Sequence, residues 1–306
     1  MTTERTKRQL IVTADDFNLS EGVSRGIIAA HRHGIVTETS VMVNLGDLHQ
    51  ASVMLAEAPQ LALGLHLNIT RGRPLAPLRD VAALLGADGL FRGAPQTLPA
   101  SLPADAVRGE FQAQCEAFVG AFGRLPHHLD THHHVHQHPV VLDVLLDLAM
   151  AWQLPVRSID GLMRLTITAR GIGTPGHFVG DAGDEPYWTV TRLISAIREL
   201  PPGVTELMCH PGYFDAAIAY SRYGRQRDVE REALCDAAVA ATVREMEVDL
   251  VTYAAAAAIS RARAPAATSP SPQHGFHPHP NPPPSRADWG KVGMGGRGMK
   301  AWGEDV

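Results

Sequence analysis

The stretch LIVTADDF, residues 10–17, decides how the rest of the chain is read. Five β-prone, mostly apolar residues end abruptly on two carboxylates, the pattern of a strand buried on both faces in a parallel sheet. A helix is expected next. Ser20 is placed as its N-cap with Glu21 in the first turn, Val23, Ile27 and Ala30 fall on one face, and Gly34 ends it. IVTETSVMVN then reads as a second strand.

Outward from there the same alternation repeats. A helical stretch over 48–58 precedes the strand-like LALGLHL, a helical stretch over 104–122 precedes HLDTH, and Pro139 opens a helix running to about Trp152. PVRSI then reads as a strand, 189–200 as a helix and VTELMC as a strand. Such alternation predicts an α/β fold with parallel strands, either a barrel or an open doubly wound sheet. The Gly- and Pro-rich segments 71–103 and 168–187 lack a clear period and read as substrate-side loops. Past Ala264 almost nothing aliphatic is left to bury, so the domain is expected over 9–262 and a disordered tail over 263–306.

Composition narrows the function. Of 306 residues 45% are apolar and the formal net charge is −5, with Lys and Arg scattered, so nucleic acid is not an expected partner. Cys115, Cys209 and Cys235 are too few and too dispersed for a disulfide framework. The first residues, charged and followed by only a five-residue apolar run, form neither a signal peptide nor a membrane span. A soluble, cytoplasmic protein without membrane association is expected.

The chemistry gathers where strands end. Asp15 and Asp16 follow LIVTA, His66 closes LALGLH, His132 closes HLDTH and His210 follows ELMC. In parallel α/β folds these carboxyl ends converge on one face, so residues distant in sequence meet there. One carboxylate and two imidazoles make a three-ligand set for a divalent metal, a second carboxylate can take a proton from water, and a histidine can protonate a leaving amine. Sixteen histidines are present, and a solvated loop has no need of the many packed into HHLDTHHHVHQH, residues 127–138. Asp130 alternates with His132 and is expected to orient it by accepting its second ring N–H. His134 and His136 are expected to line the pocket or groove, His133 to face away, and Arg157 to support the site or meet substrate. Cys209 faces away from its neighbour His210 and reads as a buried, inert thiol.

Taken together, TADDFNLSEGVSRGI, GIVTETSVMVN, GLHLNITRGRPL, HLDTHHHVH and MCHPGYFD resemble the YdjC-like carbohydrate deacetylase family, which includes chitooligosaccharide deacetylases. The resemblance covers about residues 9–260. It implies a single (β/α) barrel-like domain related to the polysaccharide deacetylases, frequently a dimer. It also implies that Asp16, His66 and His132 hold one divalent metal ion, Mg²⁺ or Zn²⁺, with Asp15 as general base and His210 as acid. Asn18 stands where the family usually has Gly, and the tail has no counterpart. The function implied is removal of acetyl from an N-acetylglucosamine-type sugar or chitooligosaccharide. The alternatives are a metal hydrolase of a phosphoester or cyclic amide, and a non-catalytic sugar- or metal-binding module. The paired Asp15 and Asp16 speak against the last, because binding alone needs no spare base.

Overall fold

The computed structural model describes residues 7–93, 95–182 and 185–256, all within one compact unit, Met1–Ala267. The expected tail lies outside the described residues. The strands are β1 (Arg8–Phe17), β2 (Glu38–Val41), β3 (Ala62–Leu67), β4 (Leu129–Thr131), β5 (His177–Val179), β6 (Gly203–Cys209) and β7 (Val248–Leu250). The helices are α1 (Glu21–His33), α2 (Leu48–Leu55), α3 (Leu78–Val81), α4 (Ala104–Phe122), α5 (Pro139–Trp152), α6 (Gly161–Ala169), α7 (Val190–Arg198), α8 (Gln226–Leu234) and α9 (Ala237–Glu245).

All strand pairs are parallel, in the order β4-β3-β2-β1-β6-β5. β7 lies beside the first half of β1, from Arg8↔Val248 to Leu10↔Leu250, and β2 lies beside the second half from Thr13↔Glu38. Beyond β4 the chain makes a single bridge, Leu129↔Val156, and the Val156 amide donates to Gly173 O at 3.0 Å. The sheet therefore curls into a half-barrel whose two edges are brought together by residues 155–158 and 173–175. The parallel α/β architecture expected from the alternation is the one found, but PVRSI contributes this bridge rather than a strand. The segment 168–187 holds β5, a three-residue strand too short to carry a period.

Local chemistry accounts for the frame. Leu10, Ile11, Val12 and Ala14 of β1 are fully buried, which is why the run is continuously apolar rather than alternating. α1 starts where Ser20 accepts the Val23 amide at 3.2 Å, a cap worth about 1 kcal/mol, and buries Val23, Ile27 and Ala30. Pro139 sits in the first turn of α5, where a missing N–H costs nothing. No helix among the described residues is long and apolar enough to cross a membrane.

Candidate metal centre and active site

Two neighbouring carboxylates on a regular strand point to opposite faces. Asp15 and Asp16 escape this rule because the β1–β2 register shifts between Ala14 and Phe17, and Asp16 takes a left-handed φ of 72°. The bulge aims both carboxylates at one cavity of about 560 Å³, which is also lined by His66, His132, His133, His134 and His210. Asn18 follows with φ 74°, the conformation that Gly or Asn tolerates, and its Nδ2 donates to Met42 O at 3.0 Å. The turn therefore survives without Gly.

Around Asp16 the donor set is incomplete in an informative way. His66 Nε2 lies 3.4 Å and His132 Nε2 4.0 Å from Asp16 Oδ1, and the two rings are 5.6 Å apart. Among the described residues Asp16 Oδ1 is buried without a hydrogen-bond partner, whereas Oδ2 accepts from Arg227 Nη2 at 2.6 Å. Burial opposes ionisation of Asp16, but Arg227, His66 and His132 together outweigh it and hold the carboxyl well below its usual range. Burial likewise pushes His66 down, yet Asp130 and Asp15 override it and raise His66 to about 10. His132, with only Asp16 opposing its burial, is pushed well down. A carboxylate oxygen and two ring nitrogens thus converge on one point, the donor set that a divalent ion takes up by replacing the ring proton of His66.

The outer nitrogens of the two rings are held differently. His66 Nδ1 donates to Asp130 Oδ1 at 2.9 Å, and His132 Nδ1 meets Thr70 Oγ1 at 2.7 Å. Asp130 therefore orients His66 and not His132, contrary to the alternation argument. β4 ends at Thr131, and His132 already belongs to the 3₁₀ turn His132–Gln137, so the period of two does not extend to it. Within that turn His133 and His134 have φ of 56° and 51°. This folds His133 back onto His132, ring centroids 3.7 Å apart, so it lines the cavity instead of facing away. His134 lines it too, and burial lowers it to about 4. His136 does not: it is fully buried beneath the turn, with Nδ1 2.5 Å from Thr131 Oγ1.

A second set of ligand-type atoms, from Asp15, His66 and Asp130, is packed more tightly, all within 4.8 Å of one another. Its charge is already answered by Arg157, which is fully buried and places Nη1 2.7 Å from Asp15 Oδ2, and Nη2 2.8 Å from Asp15 Oδ1 and 2.9 Å from Asp130 Oδ2. Arg157 Nε also donates to Glu206 Oε1 at 3.0 Å. A metal there would first have to displace a bidentate guanidinium, so the site around Asp16 is the better candidate. Arg157 itself is enclosed by protein, which assigns it to support of Asp15 rather than contact with substrate.

Sequence reasoning missed the opposite wall. α8 turns Arg227 toward Asp16 and, one turn on, Glu230 toward the amide of His210 at 2.5 Å, the Tyr223 hydroxyl and the Trp188 amide at 3.2 Å. Glu230 thereby fixes the backbone of His210, whose ring lines the cavity with Nδ1 unpartnered among the described residues. The signal was an Arg and a Glu three apart, both buried, but QRDVEREAL is so charged that they read as a solvated face. Arg71 and Tyr220 meet at the cavity, the guanidinium 4.0 Å from the ring centre.

Comparison with known proteins agrees with this frame. A carbohydrate deacetylase of Brevibacillus brevis is 36% identical over 80% of this chain and 98% of its own, and one of Geobacillus stearothermophilus is 38% identical over 80% and 97%. A chitooligosaccharide deacetylase of Proteus mirabilis is 34% identical over 80% of this chain and 97% of its own. Among solved structures, a protein of Enterococcus faecalis described as a cellobiose-phosphate cleavage protein is 28% identical, with a TM-score of 0.75, over 82% of this chain and 99% of that one. Residues 9–245 match the model of the YdjC-like protein family, and with relatives this similar over nearly their whole length the chain belongs to that family.

Proposed function

We propose that this chain is a metal-dependent hydrolase that removes the acetyl group from an N-acetylated sugar of the N-acetylglucosamine or chitooligosaccharide type. The observation that carries the reading is the orphaned Asp16 Oδ1 facing His66 Nε2 and His132 Nε2 in a cavity that also holds Asp15 and His210. The names of the deacetylase relatives support the substrate class. Asp16, His66 and His132 would hold a divalent ion, Mg²⁺ or Zn²⁺, as neutral imidazoles and one carboxylate do. When bound, such an ion acidifies water and polarises the amide carbonyl.

The protein's own groups do the rest. Asp15 accepts the proton of the attacking water on a lone pair that Arg157 leaves free, since an ionised carboxylate offers about four acceptor positions. Arg157 keeps that carboxylate oriented. His210, its backbone fixed by Glu230, gives a proton to the departing sugar amine. His133, His134 and Tyr220 line the space that receives the sugar.

The reading is tested by incubating purified protein with diacetylchitobiose and related acetylated sugars, with and without chelator. Acetate release that chelator abolishes is expected, and no release from any such sugar in metal-replete buffer would refute it. His132→Ala should lose bound metal, and His210→Ala should keep it while turnover falls about 10²–10⁴-fold. Equal metal loss in both would refute that division of roles.

A further inference from the structure

Two rings present Nε2 to Asp16, but only His66 has a carboxylate behind it. Behind His132 stands a hydroxyl, Thr70 Oγ1, and a hydroxyl either donates to a ring nitrogen or accepts from it. Which it does determines whether Nε2 of His132 carries a lone pair or a hydrogen. We propose that Thr70 is a positioning residue that holds His132 in the Nδ1–H form, and that Asn68 sets the direction of the Thr70 hydroxyl proton.

Two donors beside Asn68 have no choice of role. The backbone amides of Thr70 and Arg71 both point at Asn68 Oδ1, at 2.9 and 3.0 Å, and a backbone N–H only donates, so the atom there is the amide oxygen. Asn68 Nδ2 in turn donates to Arg71 O at 2.7 Å and Asn44 Oδ1 at 2.9 Å, which agrees with the same orientation. Thr70 Oγ1 lies 3.2 Å from that oxygen. Its proton belongs between the two oxygens as a third, longer donor to Asn68 Oδ1, because turning it to His132 would set two electron-rich oxygens 3.2 Å apart in a buried place with no proton between them. Thr70 Oγ1 then accepts from His132 Nδ1–H at 2.7 Å, and Nε2 keeps its lone pair toward Asp16.

Asn68 does not float. Its backbone N–H donates to Gln114 Oε1 at 2.9 Å and its backbone carbonyl accepts from Gln114 Nε2 at 2.6 Å, so α4 clamps it from behind. Gln114 Nε2 also reaches Glu110 Oε1 at 2.7 Å, and Glu110 accepts the amides of Leu75 and Ala76 at the start of the long loop. The ring of His132 is thus aligned by α4 through three neutral side chains, and the alignment adds no charge beside Asp16. His66 receives the same orientation from Asp130 together with a negative charge.

The state of the ring stands by itself, and its consequence for metal affinity rests on the function proposed above. The full chain, stripped of metal and labelled with ¹⁵N at histidine, is examined by long-range ¹H–¹⁵N correlation, with His132 assigned from the loss of its signals in His132→Gln. A protonated Nδ1 and a bare Nε2 are expected in the wild type, a lost or mixed preference in Thr70→Val and Thr70→Ala, and its restoration in Thr70→Ser. A protonated Nε2 in the wild type overturns the proposal, as does an unchanged preference in the folded valine or alanine variant. Zn²⁺ titration of the same proteins should show affinity about 10–100-fold weaker for Thr70→Val and within about threefold for Thr70→Ser. Equal affinity in Thr70→Val and wild type overturns the link to the metal. If the ring behaves as expected and the wild type binds no metal, the function proposed above fails and the role of Thr70 in setting the ring stands.

Discussion

Two clusters of buried charge meet at His66 and Asp130, and they are finished differently. On one side Asp15, Asp130, Glu206 and Glu38 are answered from within the protein, by Arg157, by His128 Nδ1 2.8 Å from Glu38 Oε1, and by the hydroxyl and amide of Tyr253. On the other side Arg227 meets only Oδ2 of Asp16, and Oδ1 faces two ring nitrogens. Both clusters offer the residue types that hold metals, and Asp15, His66 and Asp130 are even the tighter group. Residue type and spacing alone do not separate a structural charge network from a metal site. What separates them is how far the guanidinium reaches: Arg157 meets Asp15, Asp130 and Glu206 at once, whereas Arg227 meets only Oδ2 of Asp16 and leaves Oδ1 to the two rings.

The sharpest way to break this comparison is to take the cation out of the closed cluster. Arg157→Met leaves Asp15, Asp130 and Glu206 buried without their common partner, and stability measured by urea unfolding should fall by about 3–5 kcal/mol. His132→Gln, in the open cluster, should change the metal-free stability by less than about 1 kcal/mol. A mild loss in Arg157→Met would mean that the closed cluster draws its charge balance from elsewhere.

Titration gives the next largest effect and distinguishes the clusters directly. Burial pushes His128 down, but Glu38 and Asp130 override it and raise it to about 10, as Asp130 and Asp15 do for His66. A folded pKa above the unfolded value of 6.5 contributes stability that is complete below about pH 6.5 and is lost as pH rises toward 10. In that window each such histidine should lower stability by about 1.4 kcal/mol per pH unit. Metal-free protein should show both slopes, whereas metal-saturated protein should lose the one due to His66, whose proton the ion replaces. His128→Gln should remove the other slope with or without metal. Stability independent of pH over the window in metal-free protein would refute the assignment.

Metal itself sharpens the contrast further. Zn²⁺ at about 100 times its dissociation constant should raise the unfolding free energy of the wild type by about 2.7 kcal/mol, seen as a concentration-dependent rise in melting temperature. Asp16→Asn should lose that response. An undiminished response there would move the ion to Asp15, His66 and Asp130.

The strand-borne part of this site was legible because parallel strands deliver their carboxyl ends to one face, and LIVTADD, LALGLH and HLDTH each stop on an ionisable group. The half that came from α8 was not, because Arg227 and Glu230 look like surface charges until the helix is seen to turn them inward. Glu38 and Glu206 were equally silent, although a carboxylate inside the runs IVTETSVMVN and VTELMC is a signal that a barrel interior holds charge. The roles within HLDTHHHVH were misread for a geometric reason. A period of two holds only while the strand lasts, and the chain leaves it at Thr131 for a turn with two left-handed residues. The short strands β5 and β7 have three residues each, too few for any period to be read.

Tyr253 supplies the smallest and most discriminating test. Its ring stacks on His128 at 4.0 Å between centroids, its amide donates to Glu38 Oε2 at 2.7 Å, and its hydroxyl donates to Glu206 Oε2 at 2.5 Å, so one residue near the end of the described chain closes the cluster. Tyr253→Phe keeps the ring and the amide bond and removes only the hydroxyl, which should cost about 1.5 kcal/mol, the low end for a hydrogen bond to a charged group. Glu206 keeps Arg157 on Oε1, and Arg157 keeps both oxygens of Asp15, so acetate release should change by less than about threefold. The stability change and the rate change are therefore expected to separate, because the guanidinium that orients Asp15 is held by three carboxylates and losing support at one of them does not turn it. A tenfold loss of rate in a variant that unfolds at the expected denaturant concentration would show instead that Glu206 steers Arg157, and that the closed cluster tunes Asp15, the proposed general base, as well as holding the half-barrel together.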